Sequence, residues 1–132
     1  VQAFFAYSPG RKEVSQSARP GKRMMYVRRA RDYIEAHLHE ELLLDAIASH
    51  AGVSVRTLEL AFRAVLGVTP VEYIRTRRLN LVRRRLLNEG RAVGTLAQLA
   101  MQHALSHLGR FSCDYKALFG ESPSTTLTRS QS

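Results

Sequence analysis

Residues 47–70, IASHAGVSVRTLELAFRAVLGVTP, decide the fold, because their pattern returns in residues 99–123, LAMQHALSHLGRFSCDYKALFGESP. Each stretch opens with an aliphatic residue and an alanine, reaches a serine that ends a short turn, and closes with Gly-x-x-Pro. Two helices joined by such a turn form a helix-turn-helix unit. The copies lie 52 residues apart at their serines and 53 apart afterwards. The second copy therefore carries one extra residue near the start of its second helix.

Local signals in the first copy place its helix boundaries. The apolar spacing from Leu44 to Ala51 predicts a short helix, and Gly52 follows it as a residue that readily adopts the left-handed conformation. Ser54 is predicted to cap the next helix and Gly67 to end it. Leu43 stands where a polar cap is expected, so the short helix should begin without one. The buried face of the longer helix is predicted to hold Leu58, Phe62, Val65 and Leu66.

One helix precedes this unit and another joins the two copies. Residues Met24 to about His39 are predicted to form an amphipathic helix with apolar positions three and four apart. Thr69, Pro70 and Glu72 form a capping box with proline in the first turn, and they open a helix that runs to about Asn88. The candidate apolar positions of that connecting helix are Ile74, Leu81, Val82 and Leu86.

The second copy has its own boundary signals. Thr95 and Gln98 form another capping box. Ser106 is predicted to start the next helix, Gly120 to stop it, and Pro123 to begin a short last helix. The core face of the longer helix is predicted to be Phe111, Tyr115 and Phe119. No part of the chain is predicted to form a strand, so the expected fold is all-α, with two helix-turn-helix subdomains joined by a long linker helix.

Composition favours a polyanionic partner. The chain has 20 Lys and Arg residues against 11 Asp and Glu, for a formal net charge of +9. Apart from Lys12, Lys22 and Lys116 the basic residues are arginines, which fork onto phosphates and guanine edges. Nucleic acid is the first candidate partner and an anionic membrane the second. Charge alone leaves open a basic surface without a specific partner.

The organisation of the chain follows from its length and its helix breakers. A chain of 132 residues is enough for one domain with two small lobes. The stretch Arg19–Arg23 contains Pro and Gly and is expected to break any helix, and Ser124–Ser132 is expected to fray. The first residue is Val1 rather than Met, which suggests a piece of a longer protein. The predicted division is 1–23 for the tail of an upstream region and a linker, 24–88 for the first subdomain with the connecting helix, 89–127 for the second subdomain, and 128–132 for a disordered tail.

Other classes of site lack support in the sequence. The single cysteine, Cys113, excludes an internal disulfide and fits the reducing cytoplasm. His103 and His107 have a metal-like spacing, but the turn between them prevents a shared helix face. No apolar run reaches the roughly 18 residues of a membrane span, and no Gly-rich phosphate loop or Ser/His/Asp motif is present. We therefore predict no catalysis, no metal site and no cofactor.

The run from Leu42 to Leu127 resembles the DNA-binding domain of the AraC/XylS family of bacterial transcription regulators. The resemblance rests on the two helix-turn-helix units, on a connecting helix with the pattern Tyr-Ile-x-x-x-Arg-Leu from residue 73, and on a C-terminal signature in residues 111–123. Residues 107–111, HLGRF, are similar to the XylS-like branch. The resemblance implies duplex DNA and RNA polymerase as partners, activation of transcription, and an effector-sensing or dimerisation domain upstream.

Two positions depart from that family's pattern. The second turn usually carries Gly-Phe, whereas this chain has Ala104 and Leu105. A positive φ at Ala104 would cost about 1 kcal/mol or more. The alternative is a turn of different geometry. Gly109 lies early in a recognition helix, where glycine is worth about 1 kcal/mol less than alanine. A close approach of the backbone to DNA would be a functional reason for that glycine.

The outer face of each second helix is predicted to read bases, because its N-terminal residues enter the major groove. Arg56 can fork onto guanine, Glu59 can accept from cytosine, and Val55 or Leu60 can touch a thymine methyl. Arg110 is the main candidate in the second unit. The other predicted base-reading residues there are His107, Gly109 and Cys113. For each residue the alternative is a phosphate contact or a solvated position.

The connecting helix carries six arginines. Such a run is either a solvated face or a contact with the DNA backbone, and Arg78 is assigned a structural role by the resemblance. A basic helical module for a membrane surface or another protein is the alternative function, but it would not explain the duplicated turn. A second alternative is an enzyme that carries such a domain as a delivery arm, with its catalytic part upstream of these residues. The predicted phosphate contacts are Arg63, Arg75, Arg77, Arg84 and Lys116.

The connecting helix is also predicted to fix the spacing of the two units. It has no internal Gly or Pro and would be about 30 Å long at about 1.5 Å per residue. Successive major grooves on one face of a duplex are about 34 Å apart. The two recognition helices are therefore expected to enter adjacent major grooves.

Overall fold

The fold is helical throughout the part of the chain that is described, residues 20–130 of a computed structural model. This confirms the predicted fold class. The elements are α1 (Pro20–Ala36), α2 (Leu44–Ala51), α3 (Val55–Leu66), α4 (Pro70–Glu89), a 3₁₀ turn (Gly90–Val93), α5 (Leu96–Gln102), α6 (Leu108–Phe119) and α7 (Pro123–Ser130). The predictions for residues 1–19 and 131–132 lie outside the described residues.

The first helix begins earlier than predicted. It starts at Pro20 rather than Met24, so the expected break at Arg19–Arg23 is wrong for residues 20–23. Proline suits the first turn of a helix, because its φ is already helical and its missing N–H has no partner to lose there. The helix ends at Ala36, three residues before the predicted His39, as His37 N–H donates 3.0 Å to the carbonyl of Ile34 in a tighter turn.

The chain also stays helical further toward its C-terminus than predicted. The expected fraying of Ser124–Ser132 is wrong for residues 124–130, which belong to α7. Ser122 caps that helix, since its hydroxyl accepts from Thr125 N–H at 3.1 Å. Thr126 is fully buried and accepts from the hydroxyl of Tyr115 at 2.8 Å. A cap and a buried anchor thus stabilise a segment whose composition suggested disorder.

Helices α1, α2 and α3 and the first turn of α4 form one compact unit, here called unit 1. Each large apolar side chain that is fully buried in this unit contributes about 1.5–3 kcal/mol to the free energy of folding. Val65 and Leu66, predicted in the core, are only half-buried, because the inward face of α3 runs through positions 57–58 and 61–62. The core of unit 1 consists of Val27, Ala30, Ile34, Ile47, Ala48, Ala51, Leu58, Ala61 and Phe62.

Residues 38–41 and the chain from Ile74 onward form a second compact unit, here called unit 2. The sequence placed Leu81 in its core, but the structure buries Leu79 and leaves Leu81 half-buried. Phe119, also predicted there, packs at the edge of the core and is half-buried. The buried cluster of unit 2 is Leu79, Val82, Leu86, Val93, Leu99, Ala100, Phe111 and Tyr115.

The boundary between the two units falls inside α4, between Tyr73 and Ile74. The sequence had assigned the whole helix to the first subdomain. Tyr73 belongs to unit 1 because its ring meets Phe62 edge-on at 5.8 Å and its hydroxyl donates to Glu35 at 3.2 Å. In unit 2, Arg78 donates to the carbonyl of Leu38 at 3.0 Å, a contact that agrees with its predicted structural role.

Candidate nucleic-acid interface

The turn between α2 and α3 is set by two residues with special conformations. Gly52 has a φ of 79° and donates its N–H to the carbonyl of Ser49 at 3.0 Å, which ends α2. Ser54 starts α3 because its hydroxyl accepts from Thr57 N–H at 3.1 Å. Both predicted roles are confirmed, as is the absence of a side-chain cap at Leu43. The result is a short turn of three residues that ends α2 and begins α3.

The predicted base-reading residues of unit 1 share the outer face of α3. Arg56 and Arg63 are exposed. Val55, Glu59 and Leu60 are half-buried, whereas Leu58 and Phe62 on the opposite face are completely buried. The helix therefore presents a mixed face of two arginines, one carboxylate and two aliphatic side chains, which are the groups that major-groove edges of bases accept.

The turn of unit 2 is longer, and the predicted helix start at Ser106 is wrong. Helix α6 begins at Leu108, with His107 as the residue before it, and Phe111 N–H donates 2.8 Å to the carbonyl of His107. His107 forms no side-chain cap hydrogen bond. The extra residue of the second copy thus extends the turn instead of the helix, and His107 holds the position that Ser54 holds in unit 1.

Ala104 takes the left-handed conformation that Gly52 takes in unit 1. Its φ is 60°, and within residues 20–130 it is the single non-glycine residue with a positive φ. Of the two alternatives that the sequence left open, a positive φ at Ala104 or a different turn, the structure has the positive φ. Because an L side chain is strained in that region by about 1–2 kcal/mol, the second turn is held in place by the packing around it, including Leu105 N–H, which donates 2.9 Å to the carbonyl of Ala100.

The structural register shows that the two recognition helices do not present equivalent residues. With Ser54 and His107 aligned, Arg56 corresponds to Gly109, and Arg110 corresponds to Thr57, which is 8% exposed. The side chain of Arg110 is nevertheless 63% exposed. The remaining predicted residues, His107, Gly109 and Cys113, are also exposed.

Arg110 is joined to an acidic residue that the sequence did not assign a role. Its Nε lies 3.3 Å from Oδ2 of Asp114, one helical turn later. The same carboxylate oxygen lies 3.4 Å from Nε of Arg75 on α4. The side chain of Asp114 is 27% exposed, and its carboxylate lies between the two guanidinium groups at the surface of unit 2. The pairing of Arg110 with Asp114 is an i,i+4 contact that helical spacing makes visible in the sequence, but the contact with Arg75 requires the tertiary structure.

The arginines of α4 divide into those bound within the protein and those that face outward. Arg83 lies 3.4 Å from Glu121 and 4.8 Å above the ring of Phe119. Arg85 pairs with Glu89 at 3.0 Å. These arginines therefore stabilise unit 2 and do not form one continuous solvated stripe with their neighbours. Among the predicted phosphate contacts, Arg84, Arg63 and Lys116 are exposed, while Arg75 and Arg77 are half-buried.

His103 ends α5 and is buried beside the turn. It is 3% exposed, and neither ring nitrogen has a hydrogen-bond partner within residues 20–130. Burial lowers the pKa of His103 to about 4, and the neighbouring His39 and Arg85 act in the same direction, because a buried charge beside like charges is disfavoured. The imidazole is therefore neutral at physiological pH, as a packed element of the turn.

Neither a membrane-spanning helix nor a metal-binding cluster is present in residues 20–130. In that range no helix combines the length and apolarity that crossing a bilayer requires. The same residues contain no cluster of three or more His, Cys, Asp or Glu side chains arranged to hold a metal ion.

Comparisons with known proteins identify the family. Residues 47–129 match a family described as "Helix-turn-helix domain". A probable AraC family transcriptional regulator from Rhodopseudomonas palustris has a solved structure that superposes with a TM-score of 0.74 at 32% identity, over 80% of this chain and 96% of that one. The chain belongs to the AraC family of helix-turn-helix transcriptional regulators. A second AraC-type structure, from Chromobacterium violaceum, superposes with a TM-score of 0.72 at 30% identity, over 80% of this chain and 91% of that one.

Curated relatives of this AraC-family chain are regulators of operons. A probable thc operon regulatory protein from Rhodococcus erythropolis is 39% identical over 101 residues, which are 76% of this chain and 30% of the relative. A XylDLEGF operon transcriptional activator from Pseudomonas putida is 37% identical over 97 residues, 74% of this chain and 29% of the relative. The chain thus spans about 30% of the length of these relatives. The similarity to the XylDLEGF operon activator agrees with the predicted resemblance to the XylS-like branch.

Proposed function

We propose that this AraC-family domain binds specific duplex DNA sequences and so controls transcription, with α3 and α6 as its recognition helices. The observation that carries the proposal is the same in both units. Each second helix of a helix-turn-helix buries one face in the core and exposes arginine on another, at Arg56 and at Arg110. A basic exposed helix after a tight turn fits the major groove of B-DNA.

Base reading is assigned to the residues that the outer faces present. Arg56 donates a fork to guanine, Glu59 accepts from cytosine, and Val55 and Leu60 contact thymine methyl groups. In unit 2 Arg110 is the guanine reader, supported by its exposed guanidinium. The exposed His107 and Cys113 flank it, and Gly109 leaves room for the backbone to approach the base edges.

Phosphate contacts are assigned to the basic residues beside these faces. Arg63 and Lys116 lie two turns after Arg56 and Gly109 on their helices, and Arg84 projects from α4. Arg75 and Arg77 are half-buried on α4, and Arg75 lies 3.4 Å from Asp114 of α6. Such contacts position a protein on DNA without selecting a sequence.

The two helices are proposed to read adjacent major grooves. Helix α4 is continuous over 20 residues, and its interior lacks Gly and Pro. One chain thus carries two recognition helices, and adjacent major grooves on one face of a duplex are about 34 Å apart. The same chain would therefore contact two half-sites one turn apart.

Activation of transcription and contact with RNA polymerase are proposed from the relatives, which include activators of the XylDLEGF operon. Those relatives are about three times as long as the matched region, and we propose that the remaining part of such a protein senses an effector or dimerises. We also propose that the protein acts in the cytoplasm and has no catalytic role, because its family consists of transcription regulators.

The test is a titration of the chain with duplex DNA and with anionic lipid vesicles over a range of salt concentrations. Each phosphate neutralised by an arginine or lysine adds about 0.9 to the slope of log K against log salt. With several such contacts we expect a slope of at least about 3 for duplex DNA and weaker binding to vesicles. A flat salt response, or equal affinity for vesicles of matched charge, would contradict the proposal.

A further inference from the structure

One of the surface carboxylates of unit 2, Asp114, lies between two arginines of that unit. Its Oδ2 lies 3.3 Å from Nε of Arg110 on the recognition helix and 3.4 Å from Nε of Arg75 on α4. An acidic group in this position weakens attraction to phosphates, so its presence on a DNA-facing surface calls for a physical reason. Asp114 makes attractive contacts with both arginines, so it does not act by repelling either helix.

The atoms used in these contacts indicate the reason. Asp114 engages each guanidinium at Nε and makes no hydrogen bond to a terminal nitrogen of either arginine among those that the described residues form. A guanidinium held at Nε keeps both of its Nη groups available. Those two groups form the planar fork that donates to O6 and N7 of guanine. The carboxylate therefore restricts the rotation of a long side chain without occupying the donors that would read a base.

The corresponding position in unit 1 shows that this arrangement belongs to unit 2 alone. In the register set by Ser54 and His107, Arg110 and Asp114 correspond to Thr57 and Ala61, which are 8% and 0% exposed. Unit 1 uses this helix face for its core, whereas unit 2 places a charged pair there. Arg56, on its own helix, has no ion pair among those that the structure gives for residues 20–130.

We propose that Asp114 is a positioning and specificity residue for the second recognition helix. It orients Arg110 for guanine, and its charge discourages binding of Arg110 and Arg75 to phosphates of unrelated sequences. Asp114 touches no base and acts through Arg110. The proposal rests on the proposed function, since it names a determinant of the same DNA-binding surface.

Loss of the Asp114 carboxylate should weaken discrimination at the specific site and strengthen binding to unrelated DNA. Restricting Arg110 lowers the entropy lost when the fork meets guanine, so discrimination at that base pair improves. Removing the carboxylate frees two cationic groups for phosphate, so binding to any duplex becomes tighter and more dependent on salt. A residue that merely supported the fold would weaken both kinds of binding together.

The experiment compares the unmodified chain with Asp114→Asn on the selected site, on the same site with the guanine read by Arg110 replaced, and on unrelated duplex. We expect the preference for that guanine to fall about tenfold, affinity for unrelated duplex to rise a few-fold, and the thermal midpoint to stay within a few degrees. Asp114→Ser, which lacks the carboxylate but keeps a small polar group, should behave in the same way if the asparagine variant folds poorly.

Two further variants separate this role from general charge. Glu89→Gln removes one carboxylate from another i,i+4 arginine pair in unit 2, with Arg85 at 3.0 Å, and should leave the guanine preference unchanged. In an Arg110→Ala background, Asp114→Asn should have no further effect on that preference. An unchanged preference in the single variant, or an equal loss in the Arg110→Ala background, would overturn the proposal while leaving specific DNA binding intact. Absence of any sequence preference in the unmodified chain would instead overturn the proposed function.

Discussion

Replacement of His103 by leucine should remove a large part of the pH dependence of stability. The imidazole is 3% exposed, and burial lowers its pKa to about 4 from the ordinary value of 6.5. Between these two values the unfolded chain binds a proton that the folded chain excludes. Stability supplied by this group is therefore fully present above pH 6.5 and is lost as the pH falls toward 4.

The size of the effect follows from the shift in pKa. A difference of about 2.5 pKa units corresponds to about 3 kcal/mol between the high-pH and low-pH limits. By pH 5 about 2 kcal/mol of this should already be lost, since the unfolded imidazole is then almost fully protonated and the folded one is not. His103→Leu should lack this loss and should be at least as stable as the unmodified chain at pH 7.5, because it removes two buried nitrogens that have no partner within residues 20–130.

The assay is urea denaturation followed by circular dichroism at pH 7.5 and pH 5.0. His107→Leu is the matched control, because it removes an exposed imidazole from the same turn. The difference in unfolding free energy between the two pH values should shrink by about 2 kcal/mol in His103→Leu and not in His107→Leu. An equal pH dependence in the unmodified chain and His103→Leu would refute the assignment of this effect to a buried neutral histidine.

Three further predictions concern the turn, the phosphate contacts and the half-site spacing. Ala104→Gly should stabilise the chain by about 0.5 kcal/mol in urea denaturation, because relief of the positive φ outweighs the added freedom of the unfolded chain. Ala117→Gly, in the last turn of α6, should destabilise it by about 0.5 kcal/mol, and a loss in both variants would count against strain in the turn. Arg84→Ala should weaken binding to all duplexes alike and lower the salt slope by about 0.9, whereas a change in the preferred sequence would argue for a base contact. Inserting about 5 base pairs between half-sites should abolish the contribution of the second unit, and about 10 should not restore it; full recovery at 10 would show flexible tethering.

Local chemistry made much of the fold predictable from the sequence. Ser54, Gly52 and the Thr95–Gln98 capping box define helix ends through contacts within four residues, and all of them act as predicted. The start of α6 was not predictable in the same way. The extra residue could enter either the turn or the helix, and the sequence near Ser106 contains no local signal that distinguishes the two outcomes.

Packing against residues far away in the chain determines which apolar side chains of α4 are buried, and the sequence alone left this open. Leu79 and Leu81 are both apolar and lie two residues apart, so they face different sides of α4, and the position of the other helices determines which one is buried. The outward residues of α3 followed from helical spacing alone. The pairing of Asp114 with Arg75 and the burial of His103 did not, because both depend on contacts between elements far apart in the chain.

Selection of binding sites from a random duplex library most directly tests the central claim that each unit reads bases through its own recognition helix. The unmodified chain should select a motif with two separated groups of preferred base pairs. Arg56→Ala should lose preference at one base pair in one group and Arg110→Ala at one base pair in the other, each at a cost of about 1–3 kcal/mol on the selected site. An unchanged motif in both variants, with affinity merely reduced, would contradict the account.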